Sequence, residues 1–454
     1  MSNRRTCDMT VGNPMRLILT FAVPMLIGNI FQQIYSVVDT MIAGYNLGDG
    51  AIAAIGVTST VYSLLIGFAS GVNSGFGIQV SRAYGAGDSE ELRRTVATMF
   101  WLNLTITAVL TVIALVGIRP LMRLIQVPET IFEQSCLYIS ILLGGMVTTI
   151  GYNMCAGFLR SVGNSRTPLL FLVFSCALNM GFDTLFIVVL HTGVGGAAAA
   201  TVLAQGCSVL FCGGYIWRHY HDLLPEKRHL RMEKPRVMDM LSTGLSMGLM
   251  QSVFAIGSVI LQGAINSLGE TIITAHTAAR RIVDILMQPM GTISAANATF
   301  VSQNRGAERY DRIQTTLRRV FLLELAWSLV AIVAAYTFGR IAIRLLIGTS
   351  DDVILSNAVL NLRIMISFFP PLGILLALRT AMQSLGCKIA PVLSSGIELG
   401  MKAASAFWIV PRYGYVGASC TEPMTWVVCM TFLLLVYAFR RKELYTPQKY
   451  RRYS

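Results

Sequence analysis

Charge is what this sequence has least of. Only 13% of its 454 residues are Asp, Glu, Lys or Arg, about half the share of a soluble globular chain. Hydrophobic residues make up 54%, and a water-soluble protein of this size needs far more charge to cover its surface. Soluble enzyme classes are excluded at this step. Other absences narrow the field further. No G-x-x-x-x-G-K-[ST] run occurs, so nucleotide-driven pumping by this chain is not expected. No H-E-x-x-H motif and no nucleophile–base pairing stands in the apolar runs, so the chain reads as a non-enzyme without a cofactor. The nine Cys are scattered singly, with no C-x-x-C and no metal-ligand spacing, and read as small apolar residues. The opening MSNRRTCDMT is expected to carry no cleavable signal.

What the chain does have is apolar length. A bilayer span takes about 20 mostly apolar residues, and nearly charge-free windows cover 17–48, 51–81, 95–118, 134–159 and 167–217. The last of these is divided in two by HTGVGG at 191–196. Further windows follow at 240–267, 271–304, 320–338, 353–378, 389–410 and 413–439. The fold expected is an all-α polytopic membrane protein of twelve spans. Of the 36 Lys and Arg, 27 fall in the tails and in the loops that share their side. Five (Arg119, Arg123, Arg340, Arg344 and Arg412) fall opposite, and Arg280, Arg281, Arg363 and Lys402 lie within spans. That bias puts both termini in the cytoplasm. The net charge of +13 therefore orients the chain and is not a nucleic-acid surface.

The chain is duplicated. A shift of 221 lays Leu47-Gly48-Asp49 on Leu268-Gly269-Glu270, and Val80-Ser81 with Gly85-Ala86 on Val301-Ser302 with Gly306-Ala307. It also lays Gly193, Gly196 and Ala197 on Gly414, Gly417 and Ala418, while a shift of 223 lays Ser161, Gly163 and Pro168 on Ser384, Gly386 and Pro391. Each half holds six spans, so both keep one orientation, a parallel repeat of the transporter kind. The lobes expected are 1–225, with spans 1 to 6, and 226–454, with spans 7 to 12 and the basic tail.

Two acids stand alone in their windows: Asp39 in span 1 and Asp183 in span 5. A charge at mid-bilayer costs roughly 2.5–3.5 kcal/mol on insertion scales, so such a residue reads first as functional. At 1.5 Å per residue, Asp39 lies about 8 Å, Asp183 about 12 Å and Thr201 about 9 Å from the same membrane face. Asn179, four residues before Asp183, shares its helical face. Two carboxyls, an amide oxygen and a hydroxyl suit a small hard cation, or a shared proton, or simple bonding to a neighbouring helix. Gln32, Tyr35 and Asp39 form one stripe of span 1 that could offer polar contacts to a substrate, and Asn153 in span 4 is a candidate of the same kind. Pro24 lacks an N–H and is a place for span 1 to bend. Arg280, Arg281 and Asp284, and separately Glu398 with Lys402, read as internally neutralised clusters. Glu324, Arg363 and Glu422 have no assignment.

Pro24, the Asp39-Thr40-x-x-x-Gly44 run, AIAAIG at 51–56, VSRAYGAG at 80–87, RSVGNSRTP at 160–168 and ATFVSQNRGA at 298–307 together resemble the multidrug and toxic compound extrusion (MATE) transporters. The likeness covers nearly the whole chain and looks most like the bacterial DinF-like branch. It implies two six-helix lobes around a central cleft. It also implies an antiporter that exports amphipathic, often cationic organic compounds while Na+ or H+ enters. In that branch the cation site matches Asp39, Asn179, Asp183 and Thr201, with Na+ as a candidate occupant. The partners implied are small organic substrates and membrane lipids, with no nucleic acid. A monomer in the bacterial inner membrane is the expected setting. The rival is a lipid-linked oligosaccharide flippase, whose diphosphate cargo would favour Arg and Lys over buried Asp.

The charge bias generates a test. A cysteine placed in the 218–236 loop should escape a membrane-impermeant thiol reagent in intact cells and react once the membrane is opened. Labelling from outside contradicts the orientation.

Overall fold

The computed structural model describes residues 8–348 and 351–446. Arg4, Arg5, Lys449, Arg451 and Arg452, which enter the charge bias, lie outside them. Among the described residues there is no strand. The helices are α1 (Pro14–Leu47), α2 (Asp49–Gly85), α3 (Ser89–Leu124), α4 (Glu129–Gly144), α5 (Met146–Ser161), α6 (Arg166–Asp183) and α7 (Gly193–His219). Then come α8 (Lys234–Asn266), α9 (Glu270–Gly306), α10 (Tyr310–Ile347), α11 (Asp352–Ser367), α12 (Phe369–Ser384), α13 (Ile389–Ala404) and α14 (Val410–Leu444).

Among the described residues these fourteen helices give twelve spans, because some spans are broken. Eight stretches are long and apolar enough to cross a membrane, and ten are if each bent pair counts as one. Those pairs are α4 with α5, bent by 43°, and α11 with α12, bent by 49°. The stretch Ile389–Leu444 runs 56 residues, about 84 Å at 1.5 Å each, far beyond a hydrocarbon core of about 30 Å. It breaks at Gly414, whose φ of 55° and ψ of −138° cost a residue without a Cβ little. The more polar α9, 37 residues long, completes the twelve. Outward-facing apolar side chains such as Val116, Leu210 and Leu345, each at least 76% exposed, are what a lipid-solvated surface calls for.

The chain folds as two compact units, Val23–Gly248 and Met9–Ala22 with the residues from Leu249 on. The first helix passes from one unit to the other next to Pro24. Its start belongs to the second unit because backbone ties hold the preceding strap there. Met9 donates to Gln303 at 3.0 Å, Asn304 donates back to its carbonyl at 3.0 Å, and Arg309 donates to that of Thr10 at 2.7 Å.

The duplication read in the sequence reaches the irregularities. The break between α4 and α5 falls at Gly145 and that between α11 and α12 at Phe368. A π-helical turn follows α6 at Thr184–Val189 and another follows α13 at Ser405–Ile409. Gly48, Gly163 and Gly193 have positive φ, as do their repeat mates Gly269, Gly386 and Gly414. Ser161 donates to the Gly77 carbonyl at 3.0 Å, and Ser384 donates to that of Ala298 at 3.1 Å. Each half thus builds the same kinked scaffold.

Close helix approach in the first unit depends on missing side chains. A Cβ on Gly75 in α2 would lie 2.6 Å from the Gly244 Cα and 2.7 Å from the Thr243 carbonyl oxygen in α8. One turn on, Gln79 donates to the Thr243 hydroxyl at 2.8 Å. Backbone cannot yield as a flexible side chain does. Gly75→Val should therefore cost about 1–3 kcal/mol or more through overpacking, read as a lower thermal midpoint of the purified protein; an unchanged midpoint contradicts the close crossing.

Candidate functional site

In the first unit, α6 ends at Asp183 and passes into the π-helical turn, a local widening often found at functional sites. Asp183 is fully buried and Asn179 is 3% exposed. The Asn179 Nδ2 donates to Asp183 Oδ2 at 2.9 Å across one helical turn. The other carboxyl oxygen, Oδ1, is buried with no protein hydrogen bond. The Asp39 carboxyl, half-buried on α1, lies within side-chain interaction range of Asp183. Among the described residues no Lys, Arg or His forms an ion pair with either acid. Two carboxylates side by side at low dielectric repel strongly, by roughly 4 kcal/mol at 4 Å and an effective dielectric constant of 20. Such a pair is stable when it shares a proton or holds a cation.

Two tyrosines stand beside the acids. Tyr35, one turn before Asp39, and Tyr138 of α4 lie within electrostatic range of Asp39 and Asp183. Tyr138 escapes sequence reading, because a lone Tyr in an apolar span has nothing to mark its neighbours. Thr201 on α7 is half-buried and donates to the Ala197 carbonyl of its own helix at 3.2 Å. Among the described residues it forms no hydrogen bond to the two acids. Gln32 is exposed and Asn153 half-buried on α5; no hydrogen bond brings either to the pair. Pro24 is buried inside α1. The side chains that the site offers, the Asp39 and Asp183 carboxyls and the Asn179 amide, supply oxygen ligands, and the Asp183 Oδ1 is left unpartnered by the protein. That chemistry fits Na+ or a proton and does not fit a soft transition metal. The π-helical turn of the second unit is preceded by Ala404, so the acid is not repeated.

The second unit handles its charges differently. Arg280 holds Asp284 at 2.9 Å and Glu422 at 2.6 Å. Lys402 bridges Glu422 at 3.5 Å and Glu398 at 3.3 Å, and Glu398 holds Arg379 at 3.3 Å. Six alternating charges form one chain across α9, α12, α13 and α14. Lys402 is fully buried, with its ammonium 4.3 Å from the centre of the Phe254 ring and 3.4 Å from the Ser258 hydroxyl. The sequence shows the two i, i+4 pairs. It does not show Glu422, which joins them, or that Arg379 is a buried helical residue and not part of a cytoplasmic loop. Arg363 stands over the Tyr336 ring at 5.1 Å. A cavity of about 350 Å³ opens beside the chain.

The MatE family model matches residues 24–185 and 246–408. The chain is 26% identical to the probable multidrug resistance protein YpnP of Bacillus subtilis, over 90% of this chain and 89% of that one. It is 22% identical to the probable multidrug resistance protein NorM of Thermotoga maritima, over 88% and 86%. The FAD transporter of Shewanella oneidensis is 24% identical over 81% and 82%. Among solved structures, MATE in the bent conformation superposes with a TM-score of 0.89 at 22% identity, covering 96% of this chain and 97% of that one. The outward-facing conformation of a MATE family transporter of the MOP superfamily gives 0.87 at 23%, covering 96% and 98%.

The six-charge chain makes a stability prediction. Removing one member of a buried network costs about 3–5 kcal/mol because its partners stay buried and charged. Lys402→Met should lower stability by that order in chemical denaturation of the purified protein. An unchanged denaturation midpoint contradicts the network.

Proposed function

The chain belongs to the MatE family, a family of membrane transporters, and from that premise we propose that it is a secondary active antiporter. It exports amphipathic, often cationic organic compounds in exchange for inward H+ or Na+. The observation that carries this reading is the Asp39–Asp183 pair, two acids within side-chain interaction range of each other and, among the described residues, in no ion pair with a cationic side chain. The names of its relatives, multidrug resistance proteins among them, support the cargo class.

A pair of this kind binds its coupling ion because the alternative is uncompensated charge. With a proton or Na+ present, Asp39 and Asp183 sit together at low cost, Asn179 fixing the Asp183 carboxyl. Once the ion leaves, repulsion and poor solvation favour a different arrangement of α1 against α6. Pro24 gives α1 a turn without its full hydrogen-bond ladder, at which that helix can bend. Ion occupancy then selects between two shapes, which alternating access requires. Gln32, Tyr35 and Asn153 are the polar contacts proposed for cargo, and Thr201 is proposed to lend its hydroxyl oxygen when Na+ is held. The setting proposed is a monomer in the bacterial inner membrane with both termini cytoplasmic. A flippase for a lipid-linked diphosphate fits less well: Arg280, Arg379 and Lys402, the cations in and beside the cavity of the second unit, are each matched by a carboxylate.

Efflux in proteoliposomes tests the shared site. Asp39→Asn and Asp183→Asn should each lower coupled export by roughly tenfold or more while the proteins fold normally. The double variant should be no worse than either, since groups that act as one unit are not additive. Full export by well-folded Asp39→Asn, or a double variant far weaker than both singles, contradicts the proposal.

A further inference from the structure

The cavity of the second unit presents both signs of charge. Arg280, Arg379, Glu398 and Glu422 line it, with Lys402 fully buried behind them. Arg280, Lys402 and Arg379 are already balanced by Asp284, Glu422 and Glu398. A lone cation or anion entering here would add an unbalanced charge to poorly solvated surroundings, which is costly. A ligand that carries one charge of each sign leaves that balance unchanged.

The end of the chain shows where its head would dock. Arg379 is 9% exposed and has one carboxylate partner, Glu398, at 3.3 Å. Its Nε–H is buried with no protein acceptor, so the protein leaves part of its donor fork unsatisfied. The Arg379–Glu398 contact sets a cation and an anion about one hydrogen-bond length apart. That is the scale of an ammonium and a carboxylate carried on a single carbon. The remaining wall is mostly apolar, with Met250, Met287, Leu376 and Trp426 among it and the amides of Gln251 and Gln288 the exceptions, and methionines adapt to varied shapes. A volume of about 350 Å³ lies at the small end of the roughly 300–1,000 Å³ range of small-molecule sites.

We propose that this cavity binds an apolar α-amino acid, with its carboxylate on Arg379, its ammonium on Glu398 and its side chain among Met250, Met287 and Trp426. The site is separate from the Asp39–Asp183 pair, and equilibrium binding needs no ion gradient, so it stands or falls independently of the coupling proposal.

Binding of tritiated phenylalanine to the purified full-length protein in lipid nanodiscs tests it. The competitors are phenylalanine methyl ester, whose carboxylate is masked, and N-acetylphenylalanine, whose ammonium is masked. Unlabelled phenylalanine should displace the label at a concentration at least roughly tenfold below that needed by either masked compound. Arg379→Lys should keep saturable binding, and Arg379→Gln should weaken it by a similar factor. Leu376→Trp fills the cavity without altering a charge and should abolish binding in a protein that elutes as the wild type does. No saturable phenylalanine binding, equal displacement by either masked compound, or full binding by Leu376→Trp overturns the proposal.

Discussion

A charge inside a membrane must be balanced or neutralised, and the two charged clusters of this protein meet that demand in different ways. Glu324, fully buried on α10, stands apart from both, with only the Ser294 hydroxyl at 3.4 Å and no ion pair among the described residues. In the second unit, six charges on four helices pair in sequence from Asp284 to Arg379. In the first unit, Asp39 and Asp183 meet each other instead of a cation. Balanced charge is stable on its own and serves cohesion and ligand orientation. Unbalanced charge calls for something from outside the chain, and a gradient of that something can be converted into work. The functional reading depends on that difference.

The scaffold around both arrangements is repeated. The bends at Gly145 and Phe368, the π-helical turns after α6 and α13, and the serine-to-carbonyl bonds of Ser161 and Ser384 occur at matching places in the two halves. Interrupted helices leave backbone groups that need partners at membrane depth, tolerated where protein buries them or a wet cavity receives them. Duplication supplies both units with such places. Only the first has filled one with a pair of acids, while the second has Ala404 before its π-helical turn and carries its charges in ion pairs that link α9, α12, α13 and α14. The two halves share a shape and differ in chemistry.

How much of this the sequence shows follows from which forces are local. Membrane spans are legible because hydrocarbon demands about 20 apolar residues in a row whatever their neighbours are. The repeat is legible because glycine positions with positive φ, such as Gly48 and Gly269, tolerate few substitutes. Asp39 and Asp183 stand out because a charge in an apolar window is costly. What the window cannot show is the partner. Glu422 meets Arg280 across 142 positions of chain, and Tyr138 lies within electrostatic range of the acids from another helix. Arg379 sits near a span end and so counts as a loop residue by charge pattern, yet it is buried against Glu398. The bend at Phe368 is also hidden, since Pro370 and Pro371 at the start of α12 are equally compatible with a fresh helix or a continued one.

The central claim is that cargo leaves because an ion enters through the acid pair. Its most direct test is export of an amphipathic cation from liposomes holding the purified protein, with the proton and Na+ gradients imposed one at a time. The account predicts that export follows at least one inward gradient and stops when both are collapsed. Export at an undiminished rate with neither gradient present would contradict it.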